Sequence, residues 1–258
     1  FQYQSIHVEA ICSCAYGKRT IVNGDYVVQP RAKPLSVPLR PKNPTALELA
    51  VHRYEVSAIK LYNQSLDESD PKSLKASQED LKHLKTLRRS LSAQVSLQKQ
   101  LTEYQERSAA TSPDDLMDEP HHPTRILARN LTSIGEIKPT KRHDPHHIIM
   151  GAGQFRKMEM MLARLNLHTF GLGINDPSNG VWLPRNVKDK GHWSSPDAEA
   201  HKKVHRYNYE TWIVTNLSSD SLKKDVFINR LRNIKIKLKT STYPEGMISS
   251  KNPNWNGE

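Results

Sequence analysis

Cysteine is nearly absent: Cys12 and Cys14 are the only two in 258 residues. Two thiols build neither a disulfide scaffold nor a four-cysteine zinc site. Long apolar runs are missing as well. No stretch approaches the roughly 20 apolar residues that a spanning helix needs, and the start lacks the basic-then-apolar pattern of a signal peptide. No membrane partner is expected. Hydrophobic residues make up 36% of the chain and charged residues 25%, a balance that suggests a folded core joined to polar helical or linker segments. The chain opens on Phe1 rather than Met, as a fragment or processed product would, which leaves room for a delivery module outside it.

Basic charge and histidine are what the sequence has in quantity. Lysine and arginine number 38 against 27 acidic residues, for a net charge of +11. Such a balance favours a polyanionic partner, because cationic side chains neutralise phosphates and release counterions. With 12 histidines against two cysteines, imidazole is the expected metal ligand.

The texture changes along the chain. Residues 1–44 read as strand and loop, with a short hairpin at Ile21–Val28 turning on Asn23-Gly24 and an extended run carrying Pro30, Pro34, Pro38, Pro41 and Pro44. Residues 45–110 read as a helical hairpin. Thr45 caps a first helix to about Asn63, with Leu47, Val51, Tyr54, Ala58 and Leu61 at helical spacing. A second helix over 72–108 carries Leu81, Leu84, Leu91 and Val95 on one face. This hairpin is either a solvated spacer or a partner-binding surface. Residues 111–123 read as a linker, in which His121-His122 is a solvated pair. A catalytic domain is expected over 124–245, followed by an irregular tail at 246–258.

Three pieces of the 124–245 region carry chemistry. His143-Asp144-Pro145-His146-His147-Ile148-Ile149 contains adjacent histidines, which in a strand point to opposite faces; a β-bulge would instead turn both into one cleft. Asn179-Gly180-Val181-Trp182-Leu183-Pro184 reads as a turn and a short buried strand. A helix is expected to start at Ser195-Pro196 and run through Trp212. On it, His201 and His205 stand at i and i+4, a spacing at which two imidazoles share one metal. Between the strands, Met158–Leu165 reads as a spacer helix whose methionines pack. Residues 219–239 read as a basic amphipathic helix through Phe227, Leu231, Ile234 and Leu238, although Ile234–Lys239 also alternates like a strand.

In this order, strand, strand, helix, the sequence resembles the AHH family of HNH/endonuclease VII-like nucleases, toxin domains of bacterial polymorphic toxins and secretion effectors. The resemblance rests on His146-His147-Ile148-Ile149, on Asn179 through Pro184, on His201 through Tyr209, and on a lead-in at Leu127–Leu131 and Gly135. It covers roughly residues 125–217. Pro145 stands where the family has alanine, and Tyr207 and Tyr209 compete for the family's tyrosine. The fold this implies is α+β, mainly helical, with a ββα-metal (His-Me finger) core behind the helical hairpin.

The resemblance implies that His146 is a metal ligand and His147 the general base. His201 and His205 are assigned as the remaining ligands of one divalent ion (Mg2+, Mn2+, Zn2+ or Ni2+), and Asn179 as the support of the strand that orients the base. His192 and His168 are alternative ligands, and His143 and Asp144 candidates for fixing imidazole tautomers. Arg185, Lys188 and Lys202, with Lys190, Lys203 and Arg142, are candidates for phosphate binding. Trp182 and Trp212 read as core. The implied activity is metal-dependent endonuclease, on DNA or alternatively RNA, by an antibacterial toxin delivered from a bacterium into a target cell. Its implied partners are a cognate immunity protein and a secretion-system component. The competing reading is a non-enzymatic binding module with a structural metal closed by four protein ligands.

Overall fold

The computed structural model describes residues 33–66 and 71–258, together with the backbone pairing of 21–22 with 25–26. The chain divides into two compact units, 1–95 and 96–258. In the first, β1 (Ile21–Val22) pairs antiparallel with β2 (Asp25–Tyr26); the Asn23-Gly24 turn lies outside the described residues. Helix α1 (Ala46–Ser65) begins in a capping box. The Thr45 side chain accepts from the Glu48 amide, and the Glu48 carboxylate accepts from the Thr45 amide, so two orphan donors are satisfied reciprocally. Tyr54, Ala58 and Leu84 form a small apolar cluster with Leu61, Leu87 and Leu91, joining α1 to the first half of α2 (Pro71–Ala110). Asn63 fastens the proline-rich segment by accepting from the Leu35 amide and donating to the Leu35 carbonyl, both at 2.8 Å.

In the second unit the final turns of α2 lead into α3 (Pro113–Met117), capped by Ser112. Residues 111–123, which read as a linker, are instead packed, because Leu116 is buried and Glu119 accepts three hydrogen bonds from elsewhere in the unit. Then follow α4 (Arg125–Ser133), β3 (His143–His147), α5 (Lys157–Thr169), β4 (Gly180–Pro184), α6 (His201–Val204), α7 (Tyr207–Leu217) and α8 (Lys224–Thr240). Residues 234–239 are helical within α8, whose Phe227, Leu231, Ile234 and Leu238 enter the core. Of the α5 methionines only Met160 is buried; Met158 and Met161 are exposed. The tail is packed too: Met247 is fully buried, and Asn208 donates to the carbonyls of Gly246 and Ser250.

Strands β3 and β4 form a two-stranded antiparallel ribbon with a continuous register, His146 opposite Val181 and His147 opposite Gly180. No bulge interrupts it. The bonds from Arg185 N to Arg142 O and from Ile148 N to Asn179 O fix the alternation of the ladder. Pro145 and Pro184 therefore fall at non-hydrogen-bonded pairs, where a missing N–H costs no ladder bond. Gly180 lets the ribbon sit against α4, because a Cβ there would clash with the side chain of Leu127. Trp182 and Trp212 are buried, as core residues should be.

The turn before β4 is held by Asn179. Its Oδ1 accepts from Ile149 N (2.8 Å), and its Nδ2 donates to Ile149 O (3.0 Å) and Ile174 O (2.9 Å). Asn179 is fully buried, so truncating it orphans polar groups that water cannot reach, at about 1–3 kcal/mol each. Asn179→Ala is expected to lower unfolding free energy by roughly 3 kcal/mol or more, measured as a fall in urea midpoint at constant m-value. A midpoint equal to wild type would refute the clamp.

Candidate metal centre and active site

Strand alternation parts the two adjacent histidines. Asp144 and His146 face the segment that carries α6 and α7, whereas His147 faces the loop before β4. The His146 ring lies 5.0 Å from that of His201 and 5.3 Å from that of His205, centroid to centroid. Each of the three offers one ligand nitrogen, and these lie within 4.8 Å of one another.

The helix expected from Ser195 does not form there. Glu199 engages Lys190, Tyr243 and the Ala200 amide, and residues 195–200 stay non-helical until α6 begins at His201. The helix then breaks: His205 ends α6 with ψ 72°, Arg206 is extended, and α7 starts at Tyr207. Arg206 is held in that bend by donating to the Ile248 carbonyl at 2.8 Å. The bend keeps His201 and His205 together, with their Nε2 atoms 2.9 Å apart. It also resets the helical phase, so that Tyr209 rather than Tyr207 reaches His146.

Hydrogen bonding fixes which nitrogen of each ring is available. The Tyr209 hydroxyl donates to the Ile148 carbonyl (2.9 Å) and lies 2.8 Å from His146 Nε2. Burial pushes the Tyr209 pKa well above its ordinary value, so its one proton stays and is committed to Ile148. His146 Nε2 must then carry the proton it donates to Tyr209, leaving Nδ1 with a free lone pair. His201 Nδ1 lies 3.8 Å from Asp144 Oδ2, the carboxylate–histidine arrangement that orients metal-binding imidazoles; its Nε2 faces His205. Two nitrogens each about 2.0–2.1 Å from one ion stand about 3 Å apart, and the His201–His205 pair has that separation. The triad fits one divalent ion. Among the described residues no fourth histidine, cysteine or carboxylate joins the group.

His147 Nε2 lies 3.0 Å from Asn175 Oδ1. Both Asn175 amide hydrogens are used elsewhere, on Glu119 and the Pro120 carbonyl. Asn175 therefore accepts, His147 Nε2 donates, and Nδ1 is left as the basic nitrogen. Burial is the main influence on every imidazole here. It lowers His147 to about 4, opposed by the Asn175 bond, and His201 to about 4, reinforced by His205 and opposed by Asp144. It holds His146 well below its usual range and depresses His205 at the rim, with Glu210 opposing. All four are neutral at pH 7, the form that binds metal or accepts a proton.

The other candidates fall into place around this core. Asn179 does not touch His147; it holds the backbone just beyond it. His143 is buried, with Nδ1 2.9 Å from Thr140 Oγ1 and its ring edge-on to His192; neither joins the triad. His168 is a core residue between Arg164 Nε and the Leu172 carbonyl. His121, expected in solvent, is half-buried and packs edge-on to His147 at 6.2 Å. Arg185 is committed to Asp144 through two 2.8 Å bonds, Lys190 to Glu199 and Arg142 to Asp189. Lys188, Lys202 and Lys203 are exposed and carry no ion pair among the described residues. On α8, Lys235 and Lys239 are paired with Glu136.

Sequence reading missed Asn175, Glu119 and Glu210. The buried Glu210 carboxylate accepts from the amides of Gln154, Phe155 and Arg156, holding the entry to α5. Asn175 sits in Asn-Asp-Pro, which reads as an ordinary turn, and Glu119 lies before a proline. Neither has a local signature.

Residues 127–238 match the AHH family model, a nuclease family of the HNH/ENDO VII superfamily with conserved AHH. Neither a curated protein nor a solved structure matches the chain. The mainly helical α+β fold, with the two-stranded β3–β4 ribbon at its site, is the class expected from the sequence.

Below the ordinary imidazole value of 6.5 an unfolded chain takes up protons that these histidines refuse until about pH 4. The unfolded state binds more protons across that window, so stability falls as pH drops through it. The metal-free protein is expected to lose Tm steadily from about pH 6.5 to about pH 4, and divalent-ion binding by calorimetry to fade as His201 protonates near pH 4. A Tm independent of pH over this range would contradict the neutral cluster.

Proposed function

We propose, from the match of residues 127–238 to the AHH family of HNH/ENDO VII superfamily nucleases, that this protein is a metal-dependent endonuclease, acting on DNA, with His147 as its general base. The observation that carries the reading is the neutral three-histidine group beside a fourth, differently oriented histidine. His146 Nδ1, His201 Nε2 and His205 Nε2 would hold the ion, which supplies Lewis-acid stabilisation of phosphate and leaving oxygen. Three ligands rather than four favour catalysis over a closed structural site.

His147 Nδ1 takes a proton from water as the water oxygen forms its bond to phosphorus and the bridging P–O bond breaks. The proton then leaves the imidazolium for solvent. Burial keeps His147 neutral, and so able to accept that proton, at neutral pH. Tyr209 keeps His146 turned toward the ion, and Asp144 does the same for His201. Exposed Lys188, Lys202 and Lys203 supply attraction to the phosphate backbone. A DNase of this kind threatens the cell that makes it. The biological setting consistent with it is an antibacterial toxin delivered into a target cell by a secretion system and restrained at home by an immunity protein.

Plasmid cleavage by purified protein tests this with magnesium, manganese, zinc, nickel and EDTA arms and a parallel RNA substrate. Wild type is expected to nick plasmid with at least one metal and to lose activity in EDTA. His147→Ala is expected to lose roughly 10²–10⁴-fold in rate while retaining fold and metal. Full activity in His147→Ala would remove the assignment of the base, and preference for RNA would reassign the substrate.

A further inference from the structure

The hydrogen-bond partner of His147 is itself fixed from outside the family-matched span. Asn175 is fully buried and its amide cannot rotate freely: Nδ2 donates to Glu119 Oε1 (2.9 Å) and to the Pro120 carbonyl (3.2 Å). A flipped amide would set its oxygen against a carboxylate and a carbonyl. Glu119 is fixed in turn. Its Oε1 accepts from the Tyr104 hydroxyl (2.9 Å) and its Oε2 from Ile174 N (2.9 Å). Tyr104 is buried, and its hydroxyl oxygen accepts from Asn175 N at 3.0 Å. Gly173 permits this closeness, since a Cβ there would collide with Tyr104, Ser108 and Glu119. Glu119 therefore dictates which way Asn175 points, and Asn175 dictates which nitrogen of His147 carries the proton.

We propose that Asn175 and Glu119 are positioning residues for His147, and that the segment from Tyr104 to Pro120 is part of the catalytic unit although the family match begins at residue 127. The consequence for activity rests on His147 being the base; the tautomer does not. An imidazole without this acceptor samples both neutral tautomers, and only the Nε2–H form presents Nδ1 to water.

Two-bond 1H–15N NMR spectra of the 258-residue, metal-free protein read the tautomer directly, with the His147 signals identified by their loss in His147→Gln. Wild type is expected to show Nε2–H alone and Asn175→Ala a mixture. In the cleavage assay Asn175→Ala is expected to lower kcat by about 10–100-fold, with KM and metal affinity unchanged. Asn175→Asp alone sets two carboxylates face to face and should also lose activity. Adding Glu119→Gln replaces the facing carboxylate with an amide that can donate to the new aspartate, while the Pro120 carbonyl still opposes its second oxygen, so the double variant should recover part of both the tautomer and kcat. An Nδ1–H or mixed tautomer in wild type, wild-type kcat in Asn175→Ala, or no recovery in the double variant would overturn the proposal. If wild type cleaves nothing, the nuclease reading fails while the spectra still decide the orientation.

Discussion

The Tyr209 hydroxyl is the contact on which the site depends. It joins β3 to α7 and, by giving its only proton to the Ile148 carbonyl, obliges His146 to donate from Nε2. That assignment leaves Nδ1 unprotonated on a ring that is buried in a strand and faces His201 and His205. A phenol does this well because burial keeps it protonated, and a protonated hydroxyl with one proton committed can only accept from the ring. The break in the helix after His205 serves the same contact, since it frees Tyr209 from the phase of His201 and brings it under the strand.

Around that contact the protein keeps imidazoles neutral by removing them from water. His146 is nearly fully buried and His147 almost so, and among the described residues no carboxylate joins the triad to favour the charged forms. Asp144 acts one step away, on His201, and is itself balanced by Arg185. This arrangement gives up acid stability in exchange for imidazoles that are neutral, the form able to bind metal or accept a proton, at neutral pH.

Net charge is a poor guide to which cations are left unpaired near the histidines. Of the cations near the histidines, Arg185, Lys190 and Arg142 serve to hold Asp144, Glu199 and Asp189. Those left exposed, Lys188, Lys202 and Lys203, cannot be told apart from them by composition. The same holds for histidine: of the rings near the site, His168 and His143 are packing residues, and His121 packs against His147.

What the sequence alone determined were features with a local period or a local chemistry. Alternation along β3 separated His146 from His147, the Thr45–Glu48 box started α1, the 4-3-4 spacing of Phe227, Leu231, Ile234 and Leu238 made α8 a helix, and the ordered histidines pointed to the family. Tertiary structure decided what has no local signature. The break at His205 exists because Arg206 and Asn208 are claimed by the tail at 246–250, and the choice of Tyr209 over Tyr207 follows from that break. Asn175 and Glu119 look like turn residues until folding brings positions 28 and 56 residues away against Asn175. Hydrogen bonds of that reach depend on where distant segments are packed, and no window along the chain contains both partners.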